Sequence, residues 1–227
     1  MKIKRFIYKF KNANYLNLNK KNTINELFKY GISSYYDKDI VKTIDQICKE
    51  SSYIDDEWDE ETYGYLSKNV PERYLNDILP KLTFIADYYF GGKGKALVRG
   101  NPKFTFISSE TVKDSQKKTS STDFWHIDTP NQLTMHIFCD SVDETKPHLA
   151  YCTKLQNKNF IDLFFLFNNK KVFNIYKKLF PHQVKYAFGN KGNISIFDPN
   201  GLHKDLIPKD SNKARLYIHI NFTPGNY

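Results

Sequence analysis

The strongest constraint on the fold is a change in hydrophobic period near Lys95. Before it, apolar residues recur every three to four positions; after it, they alternate with polar residues in short segments bounded by turn residues. Such alternation is typical of half-buried strands, and a series of short strands favours a sandwich or jelly roll. Strands are predicted at 96–99, 103–108, 123–128, 132–140, 148–154, 183–188, 193–198, 202–207 and 214–223.

The part before Lys95 is predicted to be mostly helical. Aromatic and aliphatic residues recur at helical spacing over Pro71–Phe90, and Gly91 follows. Proline suits the first turn of a helix and glycine its end, so one helix is expected here, kinked or split at Pro80. Thr23–Cys48 is expected to form two helical pieces that break near Gly31.

The remaining segments have weaker patterns. Residues 1–22 alternate lysine with apolar residues and are expected to form a short edge strand or a basic arm. Thr23 and Glu26 have the spacing of a capping box. Residues 51–61 are acidic and predicted to be a loop, and 160–180 has helical spacing.

Length and composition are compatible with one packed domain. The chain has 227 residues, of which 40% are hydrophobic and 16% aromatic, so it can bury a sizeable core. We predict a single domain over 1–227 of mainly β (α+β) class. Its core, over 95–227, is predicted to be a double-stranded β-helix, a cupin-like jelly roll, with the helices of 1–94 packed on one sheet.

The basic net charge of +9 comes almost entirely from lysine, since four of the 34 basic residues are arginine. Frequent lysine, asparagine, isoleucine and tyrosine are typical of an AT-rich genome, so no nucleic-acid partner is predicted. The three cysteines show no metal-knuckle or disulfide spacing. There is no apolar run of about 18 residues and no signal-peptide core, so we expect a cytoplasmic protein without a membrane partner.

A possible metal site comes from the segment around Trp125. His126 and Asp128 are two residues apart and would share one face of a strand. In a jelly roll, strands distant in sequence face each other, so His203 could meet this pair. Two imidazoles and one carboxylate on one side of an ion are typical of Fe(II) oxygenases, and they leave coordination positions open for small molecules.

The last predicted strand adds an arginine to this set. Alternation over 214–221 places Arg215 on the face opposite Leu216, and we interpret that face as the cavity side. A cosubstrate with adjacent keto and carboxylate oxygens, 2-oxoglutarate, would chelate the iron, O2 would take the third position, and a guanidinium fork would bind the distal carboxylate. Thr134 and His136 share a face and could contact the keto acid.

These motifs, in this order, resemble the phytanoyl-CoA dioxygenase-like group of Fe(II)/2-oxoglutarate oxygenases. The resemblance spans roughly 95–227 and rests on His126-Ile127-Asp128, on Asp198-Pro199-Asn200-Gly201-Leu202-His203, and on Arg215. It implies hydroxylation of a small molecule with release of succinate and CO2, with His126, Asp128 and His203 as iron ligands. Many members carry Gly-Ser-His where this chain has Cys152-Thr153-Lys154, and Thr153 is expected to replace the serine as a cosubstrate contact.

Two other functions remain open at this point. A jelly roll can be a non-catalytic ligand- or metal-binding protein, and a basic oxygenase can be a nucleic-acid demethylase with a basic, aromatic groove. The lysines are spread along the whole chain, which disfavours the latter. The positive net charge favours an anionic substrate, such as a sugar, acyl or amino-acid derivative. We expect the protein to be a monomer or a homodimer.

Overall fold

The computed structural model describes residues 18–50, 58, 60–62, 65–108, 110–111, 125–128, 131–153, 178, 183–208 and 213–225. The helices are α1 (Leu18–Tyr30), α2 (Lys38–Glu50) and α3 (Glu72–Phe90). The strands are β1 (Ile32–Tyr36), β2 (Glu60–Thr62), β3 (Tyr65–Asn69), β4 (Ala96–Val98), β5 (Lys103–Ser108), β6 (Leu133–Phe138), β7 (His148–Cys152), β8 (Val184–Tyr186), β9 (Asn193–Phe197), β10 (His203–Leu206) and β11 (Ala214–Pro224). Within these ranges, the helices are too short or too polar to cross a membrane.

These strands form two antiparallel sheets. The larger sheet has the order β1-β9-β6-β11-β5-β3-β2, and β4 pairs with the C-terminal end of β11. The smaller sheet has the order β10-β7-β8. Phe138 and Phe197 of the larger sheet pack in one cluster with Leu149 and Tyr151 of the smaller one, so the two sheets face each other. This arrangement confirms the predicted jelly roll.

The helices cover the outer face of the larger sheet. Ile78, Leu82 and Ile85 of α3 are fully buried and belong to the same cluster as Ile218 and Ile220 of β11. Each side chain of this size contributes about 1.5–3 kcal/mol when fully buried. The outward residues of β11 are therefore used for packing, which leaves the alternate residues to face the smaller sheet.

Helix α3 follows its sequence signals at both ends. Pro71 precedes its first turn, and Gly91 ends it in the left-handed conformation at φ 107°. The helix continues through Pro80, so the predicted split is wrong. Proline removes the hydrogen bond to the carbonyl of Asn76 four residues earlier, and both residues are exposed, so water can reach that carbonyl.

The N-terminal part contains more strand than predicted. Gly31 does end a helix, but the chain then forms β1, which pairs with β9 and extends the larger sheet. The predicted capping box is wrong, because α1 begins before it. Instead the Thr23 hydroxyl donates to the carbonyl of Ser34, and the Ser33 hydroxyl donates to Glu26.

Two other predictions need correction. Strand β2 begins at Glu60, inside the predicted 51–61 loop. Of the predicted strand at 123–128, the described positions 125–128 form only a single bridge, between His126 and His203. The Asp128 N–H binds the carbonyl of Pro199, which lies in a turn and not in a strand. Residues 1–17 and almost all of 160–180 lie outside the described residues.

Candidate metal centre

The three predicted ligand residues meet at one end of the space between the sheets. His126 and His203 form an antiparallel bridge in which each backbone N–H donates to the other carbonyl at 3.0 Å. The Asp128 N–H donates to the carbonyl of Pro199 at 2.9 Å. As a result, one ligand atom from each of the three side chains lies within 4.8 Å of the other two.

The imidazole of His203 is oriented for ligation. Its Nδ1 lies 2.9 Å from the carbonyl oxygen of Gly201, so Nδ1 carries the proton and Nε2 keeps its lone pair. This Nε2 lies 3.6 Å from Oδ2 of Asp128, and Nε2 of His126 lies 3.8 Å from Oδ1 of the same carboxylate. The carboxylate therefore lies between the two imidazoles.

These separations fit one divalent ion. With metal–ligand distances of about 2.1 Å, adjacent ligands of an octahedral ion lie about 3 Å apart and opposite ligands about 4.2 Å apart. The observed carboxylate–imidazole distances of 3.8 and 3.6 Å exceed the adjacent spacing of a facial set by less than about 1 Å. The Asp128 side chain is 49% exposed and can rotate, whereas His203 is buried. Two nitrogens and one carboxylate are a donor set that suits Fe(II) better than Mg²⁺ or Ca²⁺.

The charge state of Asp128 also suits a cation. Burial raises the pKa of this carboxyl, but the favourable interactions with the imidazoles of His203 and His126 outweigh burial, so the pKa is lowered. The group is thus a carboxylate at neutral pH. A bound divalent ion would strengthen the same effect.

A cavity of about 360 Å³ extends from these ligands across the inner face of the larger sheet. His136, His219 and Lys103 are direct cross-strand neighbours on β6, β11 and β5. Tyr217 and Thr105 form the next row. The cavity has the size of sites that take small molecules. Its other lining residues beyond the three ligands are Tyr65, Ser67, Thr134, Leu149, Phe197 and Asp205.

The predicted contacts on β6 lie in this cavity. The Thr134 hydroxyl donates to Oδ1 of Asn221 at 2.8 Å, and Nε2 of His136 lies 3.2 Å from Nδ1 of His219. Burial lowers the pKa of both imidazoles, and that of His136 is well below its ordinary value. Both rings are therefore neutral near pH 7, and one donates to the other.

Arg215 lies at the inner end of this region but is fully buried and is not among the lining residues. Its Nη2 donates to Oδ1 of Asp205 at 2.9 Å, and the guanidinium carbon lies 4.3 Å from the centre of the Tyr217 ring. The Tyr65 hydroxyl donates to the other oxygen of Asp205 at 2.6 Å. Within the described residues, Nε and Nη1 of Arg215 have no hydrogen-bond partner.

The buried pair is ionised. Burial raises the pKa of Asp205, but the charge of Arg215 and the hydrogen bonds from Tyr65 and Arg215 outweigh burial, so the pKa is lowered. Burial lowers the pKa of Arg215, and attraction to Asp205 more than offsets this and raises it. The carboxylate facing the cavity therefore carries a negative charge.

Thr153 lies away from this cavity. It follows β7, is buried, and its backbone N–H donates to the carbonyl of Gln183 at 2.7 Å. His148 is also outside the cavity lining, and its ring packs against Tyr186 and Phe188. The cosubstrate contact expected from Thr153 has no counterpart in the described arrangement.

Sequence reasoning missed Asp205, Tyr65, Lys103 and Ser67. Asp205 had a usable signal, because it is two residues after His203 on a predicted strand and must share its face. Tyr65 and Ser67 had none, since β3 was not predicted. Lys103 began a predicted strand, but its face could not be assigned before the pairing of β5 with β11 was known.

No protein-family model and no curated protein sequence matches this chain. Solved structures do match. AviO1 from Streptomyces viridochromogenes Tue57 is 11% identical, with 92% of this chain and 96% of that chain covered and a TM-score of 0.59. The non-heme alpha ketoglutarate dependent epimerase SnoN from nogalamycin biosynthesis is 9% identical, with coverages of 90% and 82% and a TM-score of 0.60. HygX from Streptomyces hygroscopicus, with nickel, 2-oxoglutarate and hygromycin B bound, is 9% identical, with coverages of 93% and 89% and a TM-score of 0.59.

At these identities the similarity establishes a shared fold. The fold is the jelly roll found in structures of non-heme, 2-oxoglutarate-dependent enzymes. This chain adds its own cluster of two histidines and an aspartate at the mouth of the cavity. Fold and cluster together describe a jelly-roll protein with a candidate facial metal site.

Proposed function

We propose that this protein is an Fe(II)- and 2-oxoglutarate-dependent dioxygenase that hydroxylates a small, anionic metabolite. The balanced reaction converts substrate C–H, 2-oxoglutarate and O2 into substrate C–OH, succinate and CO2. The observation that carries the proposal is the meeting of His126, Asp128 and His203 within 4.8 Å, at one end of a cavity of cosubstrate size. When bound there, Fe(II) would supply the oxidation chemistry with O2 and the keto acid.

The chain's own residues prepare this site. The carbonyl of Gly201 fixes the tautomer of His203, and Asp128 supplies the negative charge that favours a divalent ion. Arg215, at the opposite end, is our candidate for the distal carboxylate of 2-oxoglutarate. We propose Thr134 as a second contact. Of the three candidate contacts for 2-oxoglutarate, Thr153 has the least support, because it is not among the residues that line the cavity.

The substrate is proposed to be an anionic sugar, acyl or amino-acid derivative. Lys103 lines the cavity beside His219, and the hydroxyl-bearing Ser67 and Thr105 are cross-strand neighbours on the same wall. A cation next to two hydroxyl groups favours a phosphate or carboxylate over a neutral group. Membership of the phytanoyl-CoA dioxygenase-like group, location in the cytoplasm, and a monomeric or homodimeric state remain predictions.

The outcome of the reaction is a separate proposal. Among proteins that share the fold, SnoN is described as an epimerase and SnoK as a carbocyclase. The shared fold therefore does not by itself fix the outcome. We propose hydroxylation because the resemblance to the phytanoyl-CoA dioxygenase-like group implies it, and the carboxylate of Asp128 disfavours halogenation.

The experiment is a substrate-independent turnover assay. Protein loaded with Fe(II) should consume O2 and release succinate from 2-oxoglutarate slowly, and His126→Ala and His203→Ala should lose both signals. His148→Gln serves as the matched control, because His148 lies outside the cavity lining. Iron-loaded protein that binds no 2-oxoglutarate and forms no succinate would instead favour a non-catalytic binding protein.

A further inference from the structure

The guanidinium at the inner end of the cavity already has a carboxylate partner in the protein. Asp205 and Arg215 are 7% and 0% exposed, and their charged groups are 2.9 Å apart. Asp205 is held on its other oxygen by Tyr65. Because both carboxylate oxygens are used, Asp205 is fixed in place instead of sampling several positions.

Asp205 does not satisfy all of the hydrogen-bond donors of Arg215. Nε and Nη1 are buried with no acceptor among the described residues, while only Nη2 binds Asp205. Buried N–H groups without an acceptor are costly, so a ligand that brings an oxygen to them is favoured. The unused hydrogen-bonding capacity of Arg215 therefore lies behind Asp205, which lines the cavity where Arg215 does not.

The charge of Arg215, unlike its hydrogen-bonding capacity, is already compensated by Asp205. A lone buried arginine would attract a carboxylate with a full positive charge, but Asp205 makes the pair neutral. Asp205 also lines the cavity, whereas Arg215 does not, so an incoming anion meets the negative partner directly. Repulsion between two carboxylates in a region of low dielectric offsets much of the attraction to the guanidinium.

We propose that Asp205 is a resident counter-ion of Arg215 that limits the affinity of the site for 2-oxoglutarate and reduces its selectivity for a charged distal group. This inference rests on the proposed function, since it concerns the same cosubstrate. Asp205 is thus a specificity-determining residue that acts through Arg215. The inner end of the cavity is a neutral hydrogen-bonding site, open to 2-oxo acids with an uncharged tail.

The test compares two ligands in two proteins. Metal-loaded protein without O2 is titrated by calorimetry with 2-oxoglutarate and with 2-oxopentanoate, in which a methyl group replaces the distal carboxylate. A charge-assisted hydrogen bond is worth roughly a 10- to 150-fold change in affinity. We expect wild type to prefer 2-oxoglutarate by less than about tenfold, and Asp205→Asn to bind it about tenfold more tightly with unchanged affinity for 2-oxopentanoate.

A second readout separates this role from a purely structural one. Asp205→Asn leaves the Arg215 charge buried without a counter-charge, so the ligand-free variant should melt at a lower temperature than wild type while binding 2-oxoglutarate more tightly. A merely structural aspartate would lower both stability and affinity. Asp45→Asn is the control, because Asp45 pairs with Lys191 outside the cavity and its loss should leave the ligand preference unchanged.

Each result decides the question. Unchanged or weaker 2-oxoglutarate binding in Asp205→Asn overturns the inference and leaves the proposed function standing. If that variant does not fold, the wild-type ratio decides, and a preference above about tenfold for 2-oxoglutarate overturns the inference. Failure of both ligands to bind metal-loaded wild type overturns the proposed function and this inference together.

Discussion

Replacing the buried arginine should destabilise the ligand-free protein strongly. In Arg215→Met, Asp205 keeps its hydrogen bond from Tyr65 but loses the guanidinium 2.9 Å away. Two unit charges about 4 Å apart interact by about 4 kcal/mol at an effective dielectric constant near 20. Removing one partner of a buried pair costs about 3–5 kcal/mol, because the other charge stays buried without compensation. We expect a loss in this range.

A double-mutant cycle tests the physical reason for the loss. Arg215→Met combined with Asp205→Leu removes both charges, and it should recover most of the stability, because hydrophobic replacement of a buried ion pair is often neutral. The measurement is urea unfolding of metal-free protein followed by fluorescence or circular dichroism. With a slope of about 2–3 kcal/mol per molar urea, the single variant should shift the midpoint by about 1–2.5 M.

Two results would contradict this prediction. If Arg215→Met costs less than about 1 kcal/mol of unfolding free energy, the ion pair between Arg215 and Asp205 is not buried in solution. If the double variant loses the sum of the two single losses, the residues act independently and the contact is not coupled. Midpoints are comparable only when the slope of the unfolding transition is the same for all variants.

Three further predictions address other parts of the molecule. His203→Ala should lose the rise in melting temperature that Fe(II) or Ni(II) gives without O2, whereas His148→Gln should keep it; retained stabilisation in His203→Ala would contradict the ligand assignment. Gly201→Ala would place a Cβ in steric overlap with the Tyr151 hydroxyl, so it should cost about 1–3 kcal/mol in urea unfolding and weaken metal binding by displacing His203. Native protein at pH 8 should react with one equivalent of a thiol reagent, at the exposed Cys48, because Cys139 and Cys152 are buried. Burial raises the pKa of all three thiols, so access to the reagent separates them; three rapid equivalents would contradict the burial of Cys139 and Cys152.

Much of the jelly roll could be predicted because alternation is a local property. The pattern over 214–223 placed Ile218 and Ile220 against the helices and Tyr217 towards the cavity, as the structure has them. The meeting of the three candidate ligand residues was predictable for a related reason. His126 and Asp128 are two residues apart, and the turn before His203 has its own sequence signal, so each half of the site is encoded locally.

The elements that sequence reasoning missed depend on distant partners. Residues 32–36 carry apolar side chains in a pattern too short to decide between a helix break and a strand, and β9, far along the chain, supplies the hydrogen bonds. Tyr65–Asn69 likewise becomes a strand by pairing with β5. Short segments of this kind have little local preference, so tertiary pairing decides their structure.

Asp205 is the residue whose role could least be predicted from the sequence around it. The strand period assigns it to the same face as His203, but nothing local to it indicates that a guanidinium ten residues later and a tyrosine 140 residues earlier will bind it. An arginine on the cavity face of the last strand, taken by itself, predicts a binding site for the carboxylate of a ligand. The structure supplies a carboxylate from within the chain, so the cationic receptor becomes a neutral pair. On our proposal, the affinity for the distal end of a keto acid is set by this contact between strands, and a measurement that changes Asp205 separates the contribution of Arg215 from that of Asp205.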